Sequence, residues 1–301
     1  MRRRNIKKIF KLIQKFYKNI LPQLPQKSTN RGRPRKYSDV LILSLAVLKE
    51  LLGLSFRETL EIGTMYFNKV PSLRDFHYRV LQLEEIIKHL INFIHDTLQC
   101  EIESIIVDGT GIGFKKHTTL NWMRGTYVRQ IKNHVRCEVV LTKGKYKLFQ
   151  YVEVGKAYSS EIKLLKKLLK KIELKGKKFI ADKLYDVKWL REYLKKRGIK
   201  EVIKIRKRAI GRKEVDYEEY KERNEIEGLF GNIKTKLGGY VYAYREDMAR
   251  IQALIKFLLY NLYVAYIFLF TKLCIDITNF IEIHIKIYKF YIIPCKIRKN
   301  A

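Results

Sequence analysis

Two short apolar runs each lead into an aspartate: Ser104-Ile-Ile-Val107 into Asp108, and Lys178-Phe-Ile-Ala181 into Asp182. Both runs read as strands, with the carboxylate where the strand ends. A third carboxylate, Glu227, lies on a later stretch of helical pattern. Brought together, three such groups could hold two divalent ions close enough to share one phosphate, and all-oxygen donors suit Mg²⁺ or Mn²⁺. One ion would activate the attacking oxygen while the other stabilises the leaving oxygen. Neighbouring acids compete for these roles. Asp186 is placed to N-cap a helix beginning at residue 187. Glu225 lies about 200° round the helix from Glu227 and points elsewhere. Asp216, Glu218 and Glu219 sit in a charged, solvated stretch. For Asp108 and Asp182 the bland alternative is an ordinary turn residue at a strand end.

Glu227 has company. Tyr220, Arg223, Glu227 and Lys234 recur at steps of three, four and seven, which keeps all four on one face of a helix. A tyrosine, two cations and a carboxylate make an odd stripe, because a solvated helix scatters its charges and a core helix carries none. The competing reading is an exposed helix with simple i,i+4 pairing of Arg223 and Glu227. Other chemistries find less support. Asp108-Gly-Thr-Gly-Ile-Gly113 lacks the Gly-Lys-Ser/Thr of a phosphate-binding P-loop, and no helix follows its glycines. The six histidines have no metal-ligand spacing. Cys100, Cys137, Cys274 and Cys295 are too far apart for a zinc site and suggest no disulfide framework.

The elements that must position these residues fit a chain of 301 residues, long enough for one large domain plus a smaller one. Sixty-three Lys and Arg against thirty Asp and Glu give a formal charge of +33, which points to a polyanionic partner, nucleic acid before membrane. The first 36 residues hold thirteen Lys or Arg and no acid. Within them, residues 6–20 form a basic amphipathic helix that could lie on DNA, on a membrane or on the protein's own core. Interrupting lysines exclude a signal peptide. Arg31-Gly-Arg33-Pro-Arg35-Lys36 resembles an AT-hook core, in which an extended backbone lies in a narrow minor groove, and the alternative is a solvated basic linker. Residues 1–36 are therefore expected to be a detachable basic arm.

Residues 37–100 read as helices over 39–52, 56–64, from 73, and 84–98. Ser38 caps the first, Gly53 ends it, and Ser55 with Glu58 forms a capping box. Two short helices about a glycine turn suit a helix-turn-helix reader, with Arg74 and Arg79 as its DNA contacts. From 101 to 271, strands come first and then alternate with helices, which predicts a mixed α/β domain. Strands are expected at 134–142 and 146–154 as an antiparallel pair, and at 200–206. Helices are expected at 159–171, at 186–197 and across the Tyr220–Lys234 stripe. Residues 247–270 are strongly apolar. The uncharged run between Lys256 and Lys272 contains Asn261 and is too short to span a bilayer, so it reads as a buried core helix and no membrane association is expected. The tail 272–301 has no assigned role, and the alternation Ile281 to Ile287 predicts a strand within it.

The spacing Tyr-x2-Arg-x3-Glu-x6-Lys resembles the signature of prokaryotic insertion-sequence transposases with an Asp-Asp-Glu core, those of groups four and five. Gly-Arg-Pro-Arg-Lys-Tyr-Ser at 32–38, Asp-Gly-Thr at 108–110 and Ala-Asp-Lys-Leu-Tyr-Asp at 181–186 extend the match from about residue 31 to 265. The family places a small residue where Leu184 stands. The resemblance implies a ribonuclease-H-like fold and metal-dependent DNA cleavage and strand transfer. It makes Asp108, Asp182 and Glu227 the ligands of two Mg²⁺ or Mn²⁺ ions. Tyr220, Arg223 and Lys234, with Arg31, Arg33, Arg35 and Lys36 in the arm, would hold DNA. A homodimer on double-stranded transposon ends and target, in a prokaryotic cytoplasm near the nucleoid, is expected. Two other readings stand beside it: a retired transposase acting as a DNA-binding protein, and a metal-dependent nuclease.

Overall fold

The computed structural model describes residues 6–24, 35–99, 101–114, 119–124, 126–171, 173–205 and 216–291. Arg31 and Arg33 fall outside them. Five strands form a mixed sheet in the order β5-β4-β1-β6-β7. These are β1 (Ile102–Gly113), β4 (His134–Gly144), β5 (Lys147–Lys156), β6 (Lys178–Ala181) and β7 (Lys200–Ile203). β4 and β5 run antiparallel beside β1, while β6 and β7 are parallel to it. This is the ribonuclease-H-like arrangement. A separate hairpin, β2 (Thr119–Arg124) with β3 (Tyr127–Lys132), stands after β1. No strand was expected there.

One face of the sheet is covered by α6 (Glu161–Leu169) and α7 (Lys188–Lys196). Leu165, Leu168, Leu190 and Leu194 pack there against Ile105, Val107 and Phe179. The other face carries α1 (Ile6–Ile20), α2 (Asp39–Leu52), α4 (Leu73–Leu81), α5 (Glu84–Leu98) and α10 (Glu246–Tyr291) in one continuous core. A short α3 (Phe56–Gly63) opens with the expected capping box.

α1 is not a detachable arm. Ile6, Ile9, Ile13, Phe16 and Ile20 are buried in the same core as α5 and α10, because this amphipathic stripe finds apolar partners on its own chain. Arg79 is not a DNA contact either. Its guanidinium is buried, donating to the Tyr37 carbonyl and to Asp39, whereas Arg74 is exposed. Nor do residues 281–287 form a strand. α10 runs unbroken through them to Tyr291, since extending an existing helix adds a bond per residue without a new nucleus and no Gly or Pro intervenes. The apolar stretch Glu246–Leu269 is long enough to cross a membrane, yet 67% of its hydrophobic window is buried inside the protein. Asn261 shows why it suits a core. Its amide accepts from Phe149 N and donates to Phe149 O and Ile91 O, joining α10 to β5 and α5 with no group left unpaired.

Candidate active site

Asp108 lies within β1 rather than at its end. The strand continues through Gly113, with Asp108 opposite Val139 of β4. The glycines that suggested a turn are extended backbone, kept small by close neighbours. A Cβ on Gly109 would stand 2.8 Å from Glu161 Oε1. Asp182 does follow the end of β6, where its carboxylate accepts from Lys183 N at 2.7 Å and caps a short 3-10 turn, Lys183–Tyr185. Leu184 is exposed in that turn, so the larger side chain is accommodated. Asp186 does not cap α7, which starts on Val187 without a side-chain cap. Its carboxylate instead pairs with Arg191 at 2.9 Å.

The stripe of four is divided between two helices, α8 (Tyr217–Lys221) and α9 (Asn224–Leu237), joined at Glu222 and Arg223 by tighter i→i+3 bonds. The break does not scatter the residues. Arg223 Nη2 lies 2.9 Å from Asp108 Oδ2, and Nη1 lies 2.7 Å from Glu227 Oε1. Tyr220 donates its hydroxyl to Asp182 Oδ1 at 3.4 Å. All three carboxylates therefore converge on the two residues of the stripe that precede Glu227. Lys234 lies further along α9, beside Gly239 and near enough to Cys137 to oppose that thiol's upward shift, whose main cause is burial. Arg35 is engaged by Asp39 at 2.9 Å, and the Lys36 ammonium lies 5.4 Å from the Tyr37 ring.

Charge explains the arrangement. Burial raises the Asp108 pKa, opposed by the Arg223 guanidinium and the Gly109 N–H. Burial alone would lower the Arg223 pKa, but Asp108, Tyr220, Glu227 and Asp182 together hold it above the usual value. Tyr220 is raised first by burial and then by Asp182 and Asp108, so the phenol stays protonated and donates. Arg223 is thus the positive centre of a ring of carboxylates. Among the described residues no three His, Cys, Asp or Glu side chains meet as a ready ligand set. The donor types nevertheless fit a hard divalent cation, which would compensate the same negative charges that Arg223 compensates.

Sequence reading missed the residues that hold this centre in place. Glu222 accepts from Ser104 Oγ at 2.7 Å and also from Lys178 Nζ, fixing the α8–α9 junction to β1 and β6. Those donors keep its pKa low although burial acts in the other direction. Glu225 points away from Glu227 as expected, to Lys143 and Lys147 at 3.1 and 3.0 Å, and ties α9 to β4 and β5. Glu138 is fully buried on β4 opposite Gly109, and accepts from the equally buried Tyr185 hydroxyl at 2.7 Å. Burial pushes its pKa well above the carboxylate range. No local sequence signal marks a buried glutamate inside an apolar strand.

Comparison with known proteins bears on this geometry. Residues 100–262 match the family model described as a transposase DDE domain. An uncharacterized protein of Aquifex aeolicus (strain VF5) is 31% identical over 284 residues, covering 87% of this chain and 88% of its own. Among solved structures, the piggyBac transposase synaptic complex with hairpin DNA aligns at 11% identity and a TM-score of 0.47, covering 86% of this chain and 72% of that one. The Mos1 strand transfer complex aligns at 11% identity and a TM-score of 0.30, covering 83% and 80%.

Proposed function

Because the chain belongs to the family of transposases with a DDE domain, we propose that it binds the ends of its own insertion sequence, cleaves a DNA strand there and joins the freed end to target DNA. The observation that carries this reading is the bridge made by Arg223 between Asp108 of β1 and Glu227 of α9. It gathers carboxylates from distant parts of the chain around one point, which a merely exposed charged helix would not do.

Asp108, Asp182 and Glu227 are the residues that would hold divalent ions, Mg²⁺ or Mn²⁺. When bound, the ions would activate the attacking oxygen and stabilise the leaving one. The protein's own groups supply the rest. Arg223 cannot pair with two carboxylates and serve a DNA phosphate with the same N–H groups, so a guanidinium displaced from them is free to take the phosphate bidentately. The protonated Tyr220 can donate to a phosphate oxygen in place of Asp182. Lys234 makes no ion pair or hydrogen bond among the described residues, and contributes a point charge further along the same strand of DNA. Burial around Asp108 lowers the local dielectric and strengthens each of these interactions. The formal charge of +33 supports DNA as the partner, a homodimer on paired ends being the simplest assembly.

The test is strand cleavage of DNA carrying the element's end, with Mg²⁺ or Mn²⁺ and with chelator. Cleavage and joining that require the metal and vanish in Glu227→Gln support the proposal. Hydrolysis without joining favours a nuclease. Tight DNA binding without any cleavage favours a protein that only binds DNA.

A further inference from the structure

An aromatic ladder lies next to this site and takes no part in it. α9 ends at Leu237 on Gly238, whose φ of +80° turns the chain, and Lys256 Nζ holds the Leu237 and Gly238 carbonyls. The chain then runs extended beside the far end of β1. Gly113 N donates to Gly239 O at 2.9 Å, and Val241 N to Gly113 O at 2.8 Å. Side chains alternate along it as on a strand. Val241 and Ala243 are buried, while Tyr240, Tyr242 and Tyr244 are 36%, 69% and 86% exposed. The Tyr240 ring lies close against β1, where a Cβ on Gly113 would meet it at 2.4 Å. The Tyr242 carbonyl accepts from Gln252, and the Lys49 ammonium lies 5.9 Å from the Tyr242 ring.

Three tyrosines on a backbone hydrogen-bonded to β1 and to Gln252 form an exposed row of rings. Basic residues lie around it: the Lys234 stem packs beside Gly239, and the largely exposed Arg245, paired with Asp247, follows Tyr244, whereas Lys49 near the Tyr242 ring is buried and paired with Glu50. Exposed aromatic rings on a chain of formal charge +33 suit nucleobases carried on a phosphate chain. Duplex DNA cannot use such a surface, because its bases already stack on one another. The ladder is also continuous with the catalytic elements. Asp108 and Gly113 lie on one strand, about 17 Å apart along it at roughly 3.4 Å per residue. At the 3.4 Å rise of a duplex strand that is about five nucleotides, and an unpaired strand, whose backbone extends further, covers it with fewer.

We propose that Tyr240, Tyr242 and Tyr244 form a stacking site for unpaired nucleotides a few positions along the strand from the scissile phosphate, so that the enzyme acts on an end whose strands are locally separated. This rests on the transposase reading and specifies the form of DNA that the same site takes.

The experiment compares two fluorescent probes in anisotropy titrations with the full chain. One is a mixed-sequence AT-rich duplex of about 30 base pairs; the other is the same duplex with a single-stranded extension of about five thymines. The wild-type protein is expected to prefer the extended probe. Tyr242→Ala with Tyr244→Ala should lose that preference, by about 5- to 140-fold for each base that no longer stacks. Duplex affinity and melting temperature should be unchanged, since both side chains are exposed. The Tyr242→Phe, Tyr244→Phe pair should keep the preference, because the ring face is what binds. Equal preference in wild type and the alanine variant overturns the proposal while leaving the transposase reading intact. An alanine variant that changes oligomeric state, with the probe preference unmoved, assigns the ladder to a second copy of the chain and also overturns it. Failure of the wild type to bind either probe overturns the transposase reading itself.

Discussion

Tyr185→Phe should damage the protein in two separable ways. The deleted hydroxyl donates to Glu138 Oε1, both side chains are fully buried, and Glu138 Oε2 has no hydrogen-bond partner among the described residues. The variant therefore leaves a buried carboxyl group with no partner at all. Orphaning such a group costs about 1–3 kcal/mol, which for a chain of this size corresponds to a fall in melting temperature of roughly 1.5–5 °C. Replacing both partners by apolar groups of similar shape, Tyr185→Phe with Glu138→Met, should recover stability to within about 1 kcal/mol of wild type. Function should not recover with it. Tyr185 N donates to the Asp182 carbonyl at 2.9 Å, so the Glu138–Tyr185 bond ties the turn bearing Asp182 to the strand beside Asp108. Without the tie, the metal concentration needed for half-maximal cleavage should rise even in the stable double variant. Urea unfolding and metal titration of cleavage on the three proteins make the test. If activity returns in step with stability, the bond only holds the fold and the positioning argument fails. A pH profile adds an independent check. The folded-state pKa of Glu138 is raised, so its contribution to stability is complete below the ordinary glutamate range and is lost as pH rises through the higher folded value. Glu138→Gln cannot ionise and still accepts from Tyr185, so its stability should be flatter with pH over that window.

Glu227→Gln should abolish cleavage and leave DNA binding nearly unchanged, with solvated Glu218→Gln as the neutral control. Glu225→Gln is unsuitable for that purpose, because it weakens ion pairs to Lys143 and Lys147 and should cost stability by urea unfolding. Arg223→Gln leaves Asp108 buried without its cation, and should destabilise by about 3–5 kcal/mol near neutral pH. The loss should shrink toward acid pH as Asp108 protonates, so an identical loss at every pH would contradict the ion-pair account. Deleting residues 1–36 should unfold the protein or lower its melting point severely, since buried side chains of α1 contribute about 1.5–3 kcal/mol each. Arg31→Ala with Arg33→Ala should instead weaken binding to AT-rich duplex and reduce its salt dependence, with the melting temperature unmoved.

The candidate chemical groups of this protein were largely legible locally. Asp108, Asp182, Arg223 and Glu227 could be picked out because short apolar runs and a helical period are properties of neighbouring residues, and the caps at Ser38 and Ser55 are local for the same reason. The amphipathic period of residues 6–20 fixed a helix but not its partner, and only packing against α5 and α10 made it part of the core. The alternation of residues 281–287 suggested a strand because period two is a weak signal once a long helix is already running into it. Glu138, Glu222 and the tyrosines of 240–244 carried no readable pattern, since each takes its meaning from a residue far away in the chain: Tyr185 for Glu138, Ser104 for Glu222, Gly113 for Tyr240. The sequence alone determined which groups could do the chemistry. The tertiary structure decided which of them share a charge, because burial and electrostatic pairing depend on distances that only the folded sheet and its helices set.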